Sequence, residues 1–109
     1  MNWIHLNAVE QLEDIKKSAS YTVIFKHSTR CSISVMAKRS FEQDAVDIPD
    51  GTPVYYLDLL SYRDISSKTA EIFQVHHQSP QMLLIKDGEC VYESSHNEIS
   101  VDDLLEQMN

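Results

Sequence analysis

Asp87-Gly88 stands between two short apolar runs, Met-Leu-Leu-Ile at 82–85 and Glu-Cys-Val-Tyr at 89–92, and no other feature restricts the fold as much. An Asp-Gly pair takes up the positive φ angles of a two-residue hairpin, so these runs must pair antiparallel. Upstream the chain follows a different rule. Residues 3–6, 21–25 and 54–57 are strand-like, and each is followed by a segment of helical periodicity. Strand–helix–strand alternation requires parallel pairing through right-handed crossovers. A sheet that is parallel at first and antiparallel at its end follows.

The helical segments carry their own signals. Asn7, with Glu10 three residues on, predicts a cap for a helix over 8–17 with Val9, Leu12 and Ile15 inward. Ile33, Met36, Ala37 and Phe41 form the stripe of a second helix ending near Asp44. Ser61-x-x-Asp64 predicts a capping box before Ile65, Thr69, Ile72 and Phe73, and Ser100-x-x-Asp103 does the same before Val101, Leu104, Leu105 and Met108. The order is β-α-β-α-β-α-β-β-α in a mixed sheet with helices on both faces, an α/β arrangement with the topology of the thioredoxin fold. With 109 residues and no Gly/Ser linker, charge block or repeat, residues 1–109 are expected to form one domain.

Composition narrows the partners. The formal net charge of −8 disfavours nucleic acid, and the basic residues are scattered singly or in pairs. No apolar run is long enough to span a bilayer, and the first residues lack the basic and apolar regions of a signal peptide, so a cytoplasmic location, away from the membrane, is expected. A monomer is the default for such a chain.

Cys31 is the residue with the clearest chemical potential. It follows the strand at 21–25 and the polar loop Lys-His-Ser-Thr-Arg at 26–30, and it opens a helix. Free N–H groups and the positive end of the helix dipole favour a thiolate there, and Arg30, Lys26 and His27 are expected to add positive charge. A thiolate is the species that attacks disulfides. The competing reading, an inert buried thiol, suits most free cysteines but not one at a strand-to-helix junction among polar residues. Three residues on stands Ser34, not a second cysteine, so a mixed disulfide on Cys31 must be cleared by an external thiol. Ser34 is either a hydrogen-bond donor to that thiolate or a polar residue of the first helical turn. Cys90, in the hairpin, reads as a packed core thiol. The Ser79-Pro80 bond precedes a strand, where a cis peptide would present the Ser79 backbone to a bound thiol. Adjacent His76-His77 lack the spacing of a metal pair, so no protein metal site is expected.

The segments Val-Ile-Phe-Lys-His-Ser-Thr-Arg-Cys-Ser-Ile-Ser at 23–34 and Ser-Pro-Gln-Met-Leu-Leu-Ile-Lys-Asp-Gly-Glu at 79–89 resemble those of the monothiol bacilliredoxins, and the resemblance runs over essentially the whole chain. Of that family's Thr-Cys-Pro-Ile-Ser motif, Cys31, Ile33 and Ser34 match, whereas Arg30 replaces Thr and Ser32 replaces Pro. The Trp-Cys-Gly-Pro-Cys motif of thioredoxins is absent, and Phe25 stands where they keep a buried aspartate. The resemblance implies a thiol-disulfide oxidoreductase. Cys31 would take bacillithiol from a bacillithiolated protein, and a second bacillithiol, as co-substrate and not as a tightly bound cofactor, would release it. Lys26, Arg30, Ser79 and Pro80 would contact the substrate, with the turn at Ser95-His96-Asn97 a further candidate. Two rivals remain open: an iron–sulfur cluster carrier of the monothiol glutaredoxin type, whose Cys-Gly-Phe-Ser differs from Cys31-Ser-Ile-Ser34, and a thioredoxin-like module that binds without catalysis.

Overall fold

Every residue of the strand Thr22–His27 is buried, which is possible only in the middle of a sheet covered on both faces. The computed structural model, which describes residues 1–108, places it within a sheet of five strands. In chain order they are β1 (Ile4–His5), β2 (Thr22–His27), β3 (Val54–Asp58), β4 (Gln81–Lys86) and β5 (Glu89–Ser95), arranged β1-β3-β2-β4-β5. The helices are α1 (Val9–Lys17), α2 (Ser32–Asp44), α3 (Arg63–Phe73) and α4 (Val101–Gln107). β1 and β2 run parallel to β3, whereas β4 runs antiparallel to both β2 and β5, as the hairpin required.

Alternation along β2 divides the core in two. Val23 and Phe25 pack with Phe41 of α2 and Val101 and Leu104 of α4, while Ile24 packs with Leu12 and Ile15 of α1 and Ile65 and Phe73 of α3. Lys26 and His27 extend this strand by two residues beyond the expected loop boundary, and both side chains are buried. At the hairpin Asp87 and Gly88 take φ values of 53° and 75°. The Gly88 carbonyl accepts a 2.9 Å bond from Lys16 Nζ, and a Cβ on Gly88 would lie 2.3 Å from the Lys16 carbonyl oxygen, so only glycine lets the turn lie on the end of α1.

Several helix starts differ from expectation. The α1 cap is Ala8, not Asn7; Gln11 Oε1 accepts the N–H groups of both residues, at 3.0 and 2.8 Å, so one amide side chain replaces the expected capping box. Before α3, Ser61 turns back to Asp58, its hydroxyl 3.0 Å from Oδ2, and Tyr62 becomes the cap without a side-chain bond. Ser100 does cap α4, accepting from the Asp103 N–H at 3.3 Å. The α2 stripe is the larger departure: Phe41 is buried, but Ile33 and Met36 are 47% and 71% exposed. The helix buries Ser34 in their place.

Candidate thiol-exchange site

Four chain segments meet at one edge of the sheet: the ends of β2 and β3 and the starts of α2 and β4. Cys31 is the residue before α2, half-buried, in extended backbone at φ −105°. Its carbonyl accepts the Val35 N–H at 3.0 Å, and its own N–H donates to the Ser28 carbonyl at 3.2 Å. The first-turn N–H groups of α2 thus open directly after the nucleophile, and none bonds the Cys31 side chain.

The loop carrying Cys31 is held from below. Ser34 is fully buried, and its hydroxyl accepts the Ser28 N–H at 3.0 Å and lies 2.7 Å from His27 Nδ1. Its hydrogen bonds thus run to the loop and the strand, and none runs to Cys31. Of the two roles expected for Ser34, donor to the thiolate or polar residue of the first helical turn, these bonds match the second, because the third residue of the helix faces the core here. Burial holds the His27 imidazole below its ordinary range, with the Lys38 charge acting in the same direction against Asp58, Ser34 and Glu42. His27 rests against the Tyr56 ring at 5.6 Å, and Lys38 lies over that ring at 5.3 Å while pairing with Glu42 at 3.0 Å. A neutral imidazole, one hydroxyl and one backbone N–H thus brace the nucleophile's loop.

Lys26 points to the opposite face of the sheet. Only 1% exposed, it contacts His77 Nδ1 and donates to Gln81 Oε1 at 3.1 Å. Gln81 passes the connection on, its Nε2 donating to the His76 carbonyl and to Glu93 Oε2, each at 3.0 Å. Burial lowers the Lys26 ammonium to about 8, with Glu93 opposing the fall. Lys26 therefore does not present its charge at the surface as expected; it fixes the segment leading into β4. Arg30 is exposed and, among the described residues, joins no ion pair. The Ser79–Pro80 peptide is cis, Pro80 is buried, and the Ser79 hydroxyl is enclosed without a partner.

The Pro80 carbonyl accepts the His96 N–H at 3.1 Å, which brings the Ser95–Asn97 turn to this edge. His96 and Asn97 line a groove of about 230 Å³ with the exposed Ile33 and Met36. A larger hollow, about 620 Å³, opens at the opposite edge around Ile48 and Pro53, and no cysteine or histidine lines it. Cys90 stays away from the site: its thiol donates to the Tyr92 carbonyl at 3.3 Å, and burial raises it to about 11. Gln81 carries no sequence signal, His77 enters the sequence reading only as half of the adjacent His76-His77 pair, and nothing in their local spacing marks their network with Lys26. Among the described residues no three His, Cys, Asp or Glu side chains are gathered as metal ligands, and no helix is long and apolar enough to cross a membrane.

A cysteine immediately before α2, at the end of the sheet where antiparallel β4 begins, defines a thiol oxidoreductase of the thioredoxin fold. Solved structures agree on that fold. One, provisionally described as an oxidoreductase with a thioredoxin fold, is 30% identical over 97% of this chain and 93% of its own, with a TM-score of 0.84. Thioredoxin from Trypanosoma brucei brucei is 18% identical over 98% and 88%, with a TM-score of 0.77. Mitochondrial thioredoxin 3 from Saccharomyces cerevisiae is 18% identical over 95% and 91%, with a TM-score of 0.73. The family model for monothiol bacilliredoxin BrxC matches residues 4–104, and the chain belongs to that family.

Proposed function

We propose that this protein removes bacillithiol from bacillithiolated proteins, as a cytoplasmic, monomeric enzyme of a bacterium that makes this thiol. The Cys31 thiolate attacks the bacillithiol sulfur of the mixed disulfide; the Cys31–bacillithiol bond forms as the protein's own thiolate leaves and takes a proton. A second bacillithiol thiolate then attacks the bound sulfur, giving bacillithiol disulfide and restoring the Cys31 thiolate. The two electrons that reduce the client come from the two bacillithiol sulfurs joined at the end.

The observation that carries this reading is the half-buried Cys31 before α2 with a serine, Ser34, at the third helical position of a bacilliredoxin-family chain. No thiol stands beside Cys31 in the motif, so an external thiol completes the cycle. In this reading Cys31 is the catalytic residue and Ser34 with His27 positions its loop. Arg30 and the Ser79-Pro80 segment contact the substrate, and Lys26 acts through Gln81 and His77.

The test is intact-mass analysis after exposure to bacillithiol disulfide, with Cys31→Ser and glutathione disulfide as controls. The expected result is a single adduct that requires Cys31, forms faster than the glutathione adduct and disappears on adding fresh bacillithiol. Absence of any adduct near neutral pH would refute the enzyme and favour a binding module.

A further inference from the structure

On the α3 side of the same edge lies a second hollow, about 420 Å³, lined by Leu59, Arg63, Ser66, Ser67, Ala70 and His77. Its polar lining consists of one guanidinium, two hydroxyls and one imidazole, with no carboxylate. That is unusual ground in a chain of net charge −8. Arg63, Ser67 and His77 are exposed at its rim, and Arg63 joins no ion pair among the described residues. Ser66 is only 6% exposed, yet its hydroxyl bonds no described residue, whereas Thr69 three positions further along α3 donates to the Ile65 carbonyl at 2.7 Å. An ammonium has donors only, so His77 receives Lys26 at Nδ1 and carries its own proton on Nε2. A buried cation thereby polarises an imidazole N–H at the rim of the hollow. Glu93, the carboxylate nearest this network, is occupied by Gln81 Nε2.

The hollow and Cys31 share an edge of the sheet. The Leu59 N–H donates to the His27 carbonyl at 3.1 Å, four residues before the nucleophile. Arg63 follows β3, Cys31 follows β2, and His77 precedes β4, so hollow and nucleophile lie at the same end of three neighbouring strands, the hollow on the α3 face and Cys31 before α2. A small thiol with its sulfur at Cys31 must therefore round the end of β2 to place its other end in the hollow.

We infer that the hollow of Arg63, Ser66, Ser67 and His77 binds the carboxylate-bearing end of the small thiol exchanged at Cys31, which on the reading above is the malyl group of bacillithiol. A bidentate guanidinium and two or three neutral donors suit a dicarboxylate better than a neutral thiol. The inference rests on the bacillithiol reading for the ligand's identity, but not for its charge.

The test compares wild type with Arg63→Ala and Ser66→Ala, both at positions where truncation leaves the core intact. Rates of Cys31 adduct formation are measured with bacillithiol disulfide and with uncharged bis(2-hydroxyethyl) disulfide. Backbone amide shifts are followed in parallel during titration with L-malate alone. The expected result is a loss of roughly tenfold for Arg63→Ala with bacillithiol disulfide, a smaller loss for Ser66→Ala, and no more than about a twofold change with the neutral disulfide. Malate should shift residues 63–67 and 77 saturably in wild type and not in Arg63→Ala. Equal losses on both disulfides, or no malate shifts there, would overturn the inference. If wild type reacts with the neutral disulfide but never with bacillithiol disulfide, the proposed function fails, and the malate titration still decides whether the hollow binds carboxylates.

Discussion

Replacing Lys26 by Met isolates the energetic role of a buried cation beside the site. Lys26 is 1% exposed, and burial lowers its ammonium from 10.5 to about 8. Below pH 8 the side chain is protonated in both folded and unfolded chains, and the folded state bears the full desolvation penalty. Between 8 and 10.5 the unfolded chain binds the proton more tightly, so stability rises with pH through this window. At about 1.4 kcal/mol per pH unit the full gain is about 3 kcal/mol, of which about 2 kcal/mol is reached near pH 9.5. Cys90 opposes it. Its raised thiol contributes stability that is lost as the pH climbs above 9, so wild type alone does not report Lys26. The difference between wild type and Lys26→Met does, because Cys90 is common to both. At pH 7 the variant should be about as stable as wild type, since relief of the charge penalty offsets two lost hydrogen bonds. Urea unfolding from about pH 7 to about pH 9.5 should then show wild type gaining about 2 kcal/mol over the variant. Parallel stability curves for the two proteins would refute the assignment of a penalised, protonated Lys26. A variant much less stable at pH 7 would show that the Lys26–Gln81 and Lys26–His77 contacts outweigh the penalty.

Two further predictions concern the nucleophile's surroundings. Ser34→Ala removes the acceptor of the Ser28 N–H and the partner of His27 Nδ1, which should cost about 2 kcal/mol, or roughly 8 °C in Tm, and slow Cys31 alkylation by loosening its loop; an unchanged Tm with a displaced pH profile of alkylation would instead mean that the hydroxyl acts on the sulfur. Iodoacetamide near pH 7.5 should modify folded protein once, at Cys31, because burial keeps Cys90 protonated up to about 11; peptide mapping that finds Cys90 modified at a comparable rate would contradict its packing.

Legibility in the sequence followed the range of the interactions. The Asp87-Gly88 hairpin and the Ser100 cap are decided by residues at most three apart, and both read correctly. The Asn7 and Ser61 caps involved equally short spacings but failed, because Gln11 and Asp58 offered competing partners three or four residues away. Ile33 and Met36 have the right period for a core stripe, yet α2 is rotated so that Ser34 and Phe41 face inward. Periodicity identifies an amphipathic helix but does not say that its apolar residues are covered.

Position and type of residue were enough to place Cys31 before a helix, to deny it a neighbouring thiol and to give the order of strands and helices, since these depend on chain order and short-range stereochemistry. Tertiary structure decided which side chains surround it. Lys26 and His27 are consecutive in sequence but belong to opposite faces of β2, so one braces His77 and Gln81 and the other braces Ser34. Arg63, Ser66 and His77 come together only because β3 and β4 flank β2, and no local spacing encodes that adjacency. The alternation of a strand assigns faces only after the strand's limits and its neighbours are known, and both are set by packing across the whole sheet.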